Sequence, residues 1–440
     1  TPSNSSAASD VYKRQFQHCA LGVNRGPKSW GHAVSADMVH WTQLPHAILP
    51  YDKGAIWSGT AVVDHNNSLG KQVGDTKTIV AYFTTTWKEG FFQAMAYSTD
   101  RGRTYRLHNK GNAVVPNQGV MKGERDPKVF WDANDKKWKM VLIVGGKQRI
   151  IRIFESDNMV DWKKAGDITR KWAAECIELF QLPVDGDRDN MKWVITDASF
   201  DYEVGRFTGN GFETEGEKLR GDYGKNFYAA QTFNNGPDGR VVQIGWMNDR
   251  RKECPFLVKK MPFNQQMAFP TDLTLRTTPD GIRLYRWPVK EIASLYRKTH
   301  AFDNITAEAA TRALSNVKPE LVDLSIEFVP GDEKLTLTVR GIDITYGDIM
   351  KLRTAKGVKE VKCFSYNEKT CPAPTIDGKV KLRILADRAS MELYANNGLT
   401  VTSSYEFDIP ENLDLKFSAG RQVKINTLVV NELESSWERQ

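Results

Sequence analysis

Two acidic positions in unusual surroundings carry the chemistry this sequence offers. Glu175 stands in Ala174-Glu175-Cys176-Ile177-Glu178-Leu179-Phe180, at the head of an otherwise apolar run. Burial there would raise a carboxyl's pKa and keep it protonated near neutral pH. Strand alternation puts Glu175, Ile177 and Leu179 on one face and Cys176 and Glu178 on the other, so only one of the two glutamates can face a site. Asp126 lies between Arg125 and Pro127. A short carboxylate beside a guanidinium can fix vicinal hydroxyls through paired hydrogen bonds. A protonated glutamic acid and a second, ionised carboxyl are the parts that cleavage of a glycosidic bond requires, about 5 Å apart where configuration is retained. Each motif taken singly also suits a salt bridge or a turn.

The elements that must position these groups read as strands. β-branched and aromatic runs at 78–86, 137–146, 192–198 and 240–247 are separated by Gly, Asn, Asp and Pro. A repeat organises them: Ser35-Ala-Asp37-Met-Val-His-Trp41 recurs as Ser156-Asp-Asn158-Met-Val-Asp-Trp162, with a looser copy from Ser98 through Asp100 to Tyr105. The spacing of about 60 residues suits a four-stranded propeller blade, each short polar side chain closing a turn. A second series, WSGTAVVD (57–64), ERDPKVFWD (124–132), AECIELFQLP (174–183) and NFYAAQTF (226–233), keeps step with the first. Where each blade's innermost strand starts near the axis, these residues converge on one pocket.

After about residue 291 the pattern changes to alternating apolar and polar residues with Gly, Asn and Asp turns, as in an antiparallel sandwich. The expected architecture is all-β: a five-bladed β-propeller over 16–291, a linker over 292–305 and a C-terminal antiparallel β-sandwich over 306–440. Residues 306–316 have a Thr/Ala-rich, helix-compatible composition and read as a connector.

Composition narrows the function class. The net charge of +7 comes from 61 basic residues interspersed among 54 acidic ones, a solvated surface rather than a nucleic-acid stripe. No apolar run approaches the roughly 18 residues that span a membrane. The cysteines at 19, 176, 254, 363 and 371 form no Cys-x-x-Cys pair and the seven His are dispersed, so no zinc site is expected. For Cys363 and Cys371 both a bridge across a hairpin and two free thiols fit. The 12 Trp suit sugar platforms as well as core.

From Phe16 onward the chain resembles the family-32 glycoside hydrolases: invertases, exo-inulinases, levanases and related fructan hydrolases. The likeness rests on F-Q-H (16–18), S-W-G-H-A-V-S (29–35), D-M-V-H-W (37–41), W-S-G (57–59), E-R-D-P (124–127), E-C (175–176), F-Y-A (227–229), I-G-W-M (244–247) and, in the sandwich, I-L-A-D-R-A-S-M-E-L-Y (384–394). The stretch 262–276 is closer to the levanase and exo-inulinase branch. The resemblance implies Glu175 as acid/base, Asp126 as transition-state stabiliser and Arg125 as the group orienting the pair. It implies a fructose pocket lined by Gln17, Trp30, Trp57, Ser58, Tyr228 and Trp246, with no metal or cofactor. A β-fructan of the levan or inulin type, and sucrose as well, is the implied substrate, which goes with a secreted or periplasmic protein.

One departure stands out. The family's nucleophile is an Asp in a Trp-Met-Asn-Asp-Pro-Asn-type segment of the first blade, and nothing like it precedes Phe16. The family spacing would put it at or before residue 1, and Asp10 is too close to Gln17 to serve. Residues 1–15 are expected to be a foreign or substituted start, with an incomplete first blade and, without the nucleophile, activity lowered by orders of magnitude. The competing expectation is a catalytically inactive fructan-binding propeller. The likeness of Ser98–Tyr105 to the Asp-box of sialidases gives a third, weaker one.

Overall fold

The computed structural model describes residues 2–3, 12–19, 26–234, 236, 239–249, 255–258, 260–261, 263–354, 357–406 and 413–437. Asp10 and Cys254 lie outside the described residues. Two compact units emerge: Thr1–Leu219 with Tyr228–Ile282, and Arg220–Phe227 with Arg283–Gln440.

The first unit is a succession of antiparallel meanders, the five-bladed propeller that the repeat implies. One sheet joins Pro2–Ser3, Tyr12–His18, Ser29–Ser35 and Thr42–Ile48; the next joins Ile56–Asp64, Thr78–Thr85, Phe92–Ser98 and Arg106–Leu107. The third holds Arg125–Asp132, Lys137–Gly145, Ile150–Ser156 and Lys163–Thr169. The fourth runs through Glu178–Val184, Asp187–Thr196, Asp201–Phe207 and Phe212–Thr214. The fifth contains Phe227–Thr232, Val242–Met247 and Thr271–Thr278. A single parallel bridge, Val184 to Leu275, ties these last two. In the first sheet Pro2 and Ser3 pair with Phe16 and Gln15, so the blade expected to be incomplete carries a short innermost strand.

Apolar side chains on both faces of each sheet make the blades pack as layers. Trp30, Ile48, Val63, Ile79 and Phe83 fill the space between the first two sheets, and Val62, Val80, Tyr82, Val129, Met140 and Leu142 that between the second and third. Val141, Ile143, Ile153, Leu179 and Ile195 join the third to the fourth. The repeated polar residues close the turn between the third and fourth strands of a blade. Asp37 Oδ1 accepts the N–H groups of Val39 (2.9 Å) and His40 (2.8 Å), and Asn158 Oδ1 those of Val160 (3.0 Å) and Asp161 (2.8 Å). Asp100 Oδ1 does the same for Arg103 and Thr104, both at 3.0 Å. The Asp-box likeness is therefore turn chemistry.

His32 in the first sheet is fully buried, and neither ring nitrogen has a hydrogen-bond partner. Burial, reinforced by Lys13 and opposed by Asp100, pulls its pKa down to about 4. The unfolded chain, with a histidine near pH 6.5, binds more protons across that window, so stability is full above it and is lost as the pH falls towards 4. The expected loss is about 3 kcal/mol. Denaturant titrations at pH 7 and 4.5 should show it, and His32→Phe should remove most of that pH dependence.

In the second unit a six-stranded sheet contains Tyr296–Ile305, Lys424–Leu433, Val322–Val329, Val380–Ala386, Ser390–Ala395 and Thr400–Tyr405. A five-stranded one contains Lys369–Pro372, Gly357–Tyr366, Ile342–Thr354, Leu335–Val339 and Lys416–Ala419. Leu324, Ile326, Phe328, Leu337, Phe364 and Leu382 belong to one hydrophobic core within this sandwich. Two expectations change. Most of the supposed linker 292–305 is the strand Tyr296–Ile305, held along its length by Lys424–Leu433. The connector at 306–316 contains a helix, Ala307–Ala313, whose Thr306 cap accepts the Ala309 N–H at 3.2 Å. Cys363 and Cys371 are both free thiols. Cys363 sits opposite Pro372 and Cys371 opposite Phe364, a one-residue offset that sends their side chains to opposite faces of the ribbon.

Candidate active site

Glu175 is not the first residue of a strand. The strand begins at Glu178, and Glu175 occupies the irregular segment before it. Alternation fails there because Cys176 takes a left-handed conformation (φ 50°), as do Asp126 (φ 66°) and Ala229 (φ 48°). Non-glycine residues held this way cost about 1–3 kcal/mol each and need neighbours that enforce the turn. Hydrogen bonds supply that enforcement. The Cys176 N–H donates to Asp126 Oδ2 (3.0 Å), the Asp126 N–H to Thr84 Oγ1 (2.9 Å) and the Ala229 N–H to the Ala198 carbonyl (2.6 Å).

These turns bring the acids together around one guanidinium. Arg125 Nη2 lies 3.0 Å and Nε 3.3 Å from Glu175 Oε2, and Nε lies 3.5 Å from Asp126 Oδ2. The Tyr228 hydroxyl donates to the other oxygen, Glu175 Oε1. Glu175 is thus a paired, partly open carboxyl with 23% of its side chain exposed, not the isolated buried acid that the flanking apolar residues suggest. Asp126 is the buried member. Burial holds its carboxyl above the usual range, with Glu175 adding to the effect, against the pull of Arg125 and the Cys176 N–H. The Cys176 thiol, pushed well up by burial and by Asp126 and Glu175, stays neutral. Trp246 meets Tyr228 edge-on, ring centroids 6.2 Å apart, and completes this group.

The remaining expected residues form a second group. Gln17 Nε2 donates to Ser58 Oγ at 2.7 Å, and the partly exposed Trp57 meets Phe91 edge-on. Trp30 does not line a pocket. Its ring is fully buried against Phe83, and its indole N–H donates to the Trp57 carbonyl at 2.8 Å, so it braces Trp57 from behind. The strand carrying Trp57 and Ser58 packs beside the one carrying Arg125 and Asp126.

Two further sets of contacts have no signal of their own in the sequence, although all their residues but Gln93 lie in the runs already named. Thr84 and Gln93 are fully buried. Thr84 Oγ1 donates to Gln93 Oε1 (2.8 Å), and Gln93 Nε2 donates to the Glu124 carbonyl (3.2 Å), which fixes the Glu124–Asp126 turn. Glu178 is bound to Lys128 Nζ at 3.0 Å and to the Thr232 hydroxyl at 2.7 Å, with 0% of its side chain exposed. Among the described residues no group of three or more His, Cys, Asp or Glu is placed to hold a metal ion, and no helix is long and apolar enough to cross a membrane.

Sequence comparison decides the family. The model for the Glycosyl hydrolases family 32 N-terminal domain matches residues 2–288, and that for the family 32 C-terminal domain matches residues 291–432. The chain belongs to glycosyl hydrolase family 32. Family membership makes it a glycosidase. It is 33% identical to a levanase of Bacillus subtilis (strain 168) over 97% of this chain and 67% of that one. It is 31% identical to a levanase of Bacillus sp. (strain L7), over 93% of this chain but 48% of that one, so it spans about half of the second levanase. In structure it is similar to the exo-inulinase of Aspergillus awamori: TM-score 0.82 at 23% identity, covering 99% and 96% of the two chains. That likeness supports the fold, a propeller followed by a sandwich.

Proposed function

We propose that this family 32 glycosidase releases fructose from β-fructans of the levan or inulin type, and from sucrose, with retention of configuration. The single observation that carries the reading is Arg125 held between Glu175 and Asp126, because it sets one partly open carboxyl and one buried carboxyl at a common point. Glu175, reachable and hydrogen-bonded by Tyr228, protonates the leaving oxygen and then activates water. Asp126, fixed by the Cys176 N–H, accepts hydrogen bonds from fructose hydroxyls as charge develops on the ring. Trp57, Tyr228 and Trp246 offer apolar surface to the sugar's C–H face, and Gln17 and Ser58 bind its hydroxyls. The nucleophile is assigned to no residue of this sequence. The protein would meet such polymeric substrates outside the cytoplasm.

The test is product analysis on levan, inulin and sucrose, with this chain and with the chain carrying a Trp-Met-Asn-Asp-Pro-Asn-type segment on its first blade. Free fructose from the second protein is the expected result. Fructan binding without fructose release by either protein would replace this reading with that of an inactive, sugar-binding propeller.

A further inference from the structure

We propose that Asp197 is a positioning residue for Glu175, a buried carboxylate that braces the segment presenting the acid/base. The inference rests on the role proposed for Glu175. Asp197 directly follows the second strand of the fourth sheet, Asp187–Thr196, and is 1% exposed. Its side chain accepts the N–H of Ser199 at 3.0 Å, and the N–H groups of Asp201 and of Ala174, the residue before Glu175, lie near enough to favour its ionised form. Its own N–H goes to the Asp201 carbonyl (3.2 Å), and its carbonyl accepts the Phe200 N–H (2.9 Å), which closes a tight turn with Phe200 left-handed at φ 60°.

The next residue makes the connection to the site. The Ala198 N–H donates to the Glu175 carbonyl at 2.8 Å, and the Ala198 carbonyl accepts the N–H of Ala229, which follows Tyr228. Ala198, presented by the turn that Asp197 closes, therefore grips the backbone at the Glu175 carbonyl and beside the tyrosine that bonds its carboxyl. Cys176, Ala198 and Ala229 pack as one small buried cluster, with Tyr228 and Trp246 against it. An ionised carboxylate offers two acceptor oxygens to the Ser199 N–H and the N–H groups near it without placing a hydrogen among them.

The fold holds this acid against its electrostatic preference. Burial, then repulsion from Asp201, pushes the Asp197 carboxyl up to about 7, although the three N–H groups pull it down. Asp201 is itself paired with Lys218 at 2.5 Å, so that lysine's charge is already engaged. A buried acid kept at such cost, one turn from a reacting group, is where positioning roles concentrate.

Asp197→Asn keeps the size and turns one acceptor into a donor. Amide hydrogen exchange on the chain itself should lose protection at Ala198 and Ser199, while the core strands at Leu179–Leu182 and Val194–Ile195 keep theirs. Turnover is read on the chain carrying the first-blade aspartate. There kcat/KM for sucrose should fall about tenfold or more, and for an aryl β-fructofuranoside with a good leaving group by less than about threefold, because only the first needs proton donation. Unchanged protection, or equal losses on the two substrates, overturns the proposal. Glu175→Gln runs alongside as a control: if it shows no leaving-group dependence, the acid/base assignment itself fails, and exchange still decides whether Asp197 braces the loop.

Discussion

Glu175→Gln, in the chain carrying the first-blade aspartate, is expected to lower kcat/KM for levan, inulin or sucrose by about 10²- to 10⁴-fold, the usual worth of a positioned general acid. The effect should depend on the leaving group. Breaking the bond to a sugar alkoxide needs a proton delivered to the departing oxygen, whereas a nitrophenolate leaves unaided. For an aryl fructoside, kcat/KM reports the first chemical step alone and should stay within about tenfold of the unaltered protein. Its kcat should still fall, because the second step loses the base that activates water. A small anion such as azide, which needs no deprotonation, should restore that step. The amide keeps a hydrogen bond for Tyr228 and loses the ion pair with Arg125 (3.0 Å), so folding should be little affected. Normal sucrose turnover by Glu175→Gln would move the acid role elsewhere. Glu178 is poorly placed to inherit it, being closed off by Lys128 and Thr232.

That second glutamate should matter for stability. Lys128 and Glu178 face each other at 3.0 Å with 2% and 0% of their side chains exposed, and Thr232 donates both its hydroxyl and its N–H to the same Glu178 oxygen. Three innermost strands, 125–132, 178–184 and 227–232, are pinned at one point. Lys128→Met strands a buried charge and should cost about 3–5 kcal/mol. The double variant Lys128→Met/Glu178→Gln removes both charges of the pair and keeps an acceptor for Thr232, but it also takes the Glu178 charge away from the buried Arg14, so it should recover only part of that loss. Denaturant unfolding of the two variants makes the comparison. A single variant as stable as the double one would mean that the pair is not sealed from solvent.

The two pairs also show where sequence reading succeeds. Arg125, Asp126 and Glu175 sit in short local motifs that recur once per blade, and Arg125 contacts both acids. The five blades and the sandwich were legible for the same reason, since alternation and turn residues are local signals. Lys128–Glu178–Thr232 and Thr84–Gln93 were not legible. Their partners lie on different strands, as in the bonds from Lys128 to Glu178 and Thr232, 50 and 104 residues away. Their polar atoms also occupy positions that read as ordinary strand. The left-handed turns at Asp126, Cys176 and Ala229 defeated alternation because none of the three is glycine, the residue that would have announced them. Trp30 was misplaced for a related reason: a ring between two sheets and a ring at a pocket wall have the same sequence surroundings. The strand 296–305 passed for a linker because it alternates weakly and draws its order from a partner more than a hundred residues later.

The most direct test of the central claim is the turnover of levan in water containing methanol, with the released sugars resolved by proton NMR. A double displacement at the anomeric carbon, with the first-blade aspartate as nucleophile, Glu175 as acid/base and Asp126 holding the ring, predicts free fructose together with methyl β-fructofuranoside, and neither product from the Glu175→Gln variant. The α-glycoside, or no fructose at all from the protein carrying the first-blade aspartate, would contradict it.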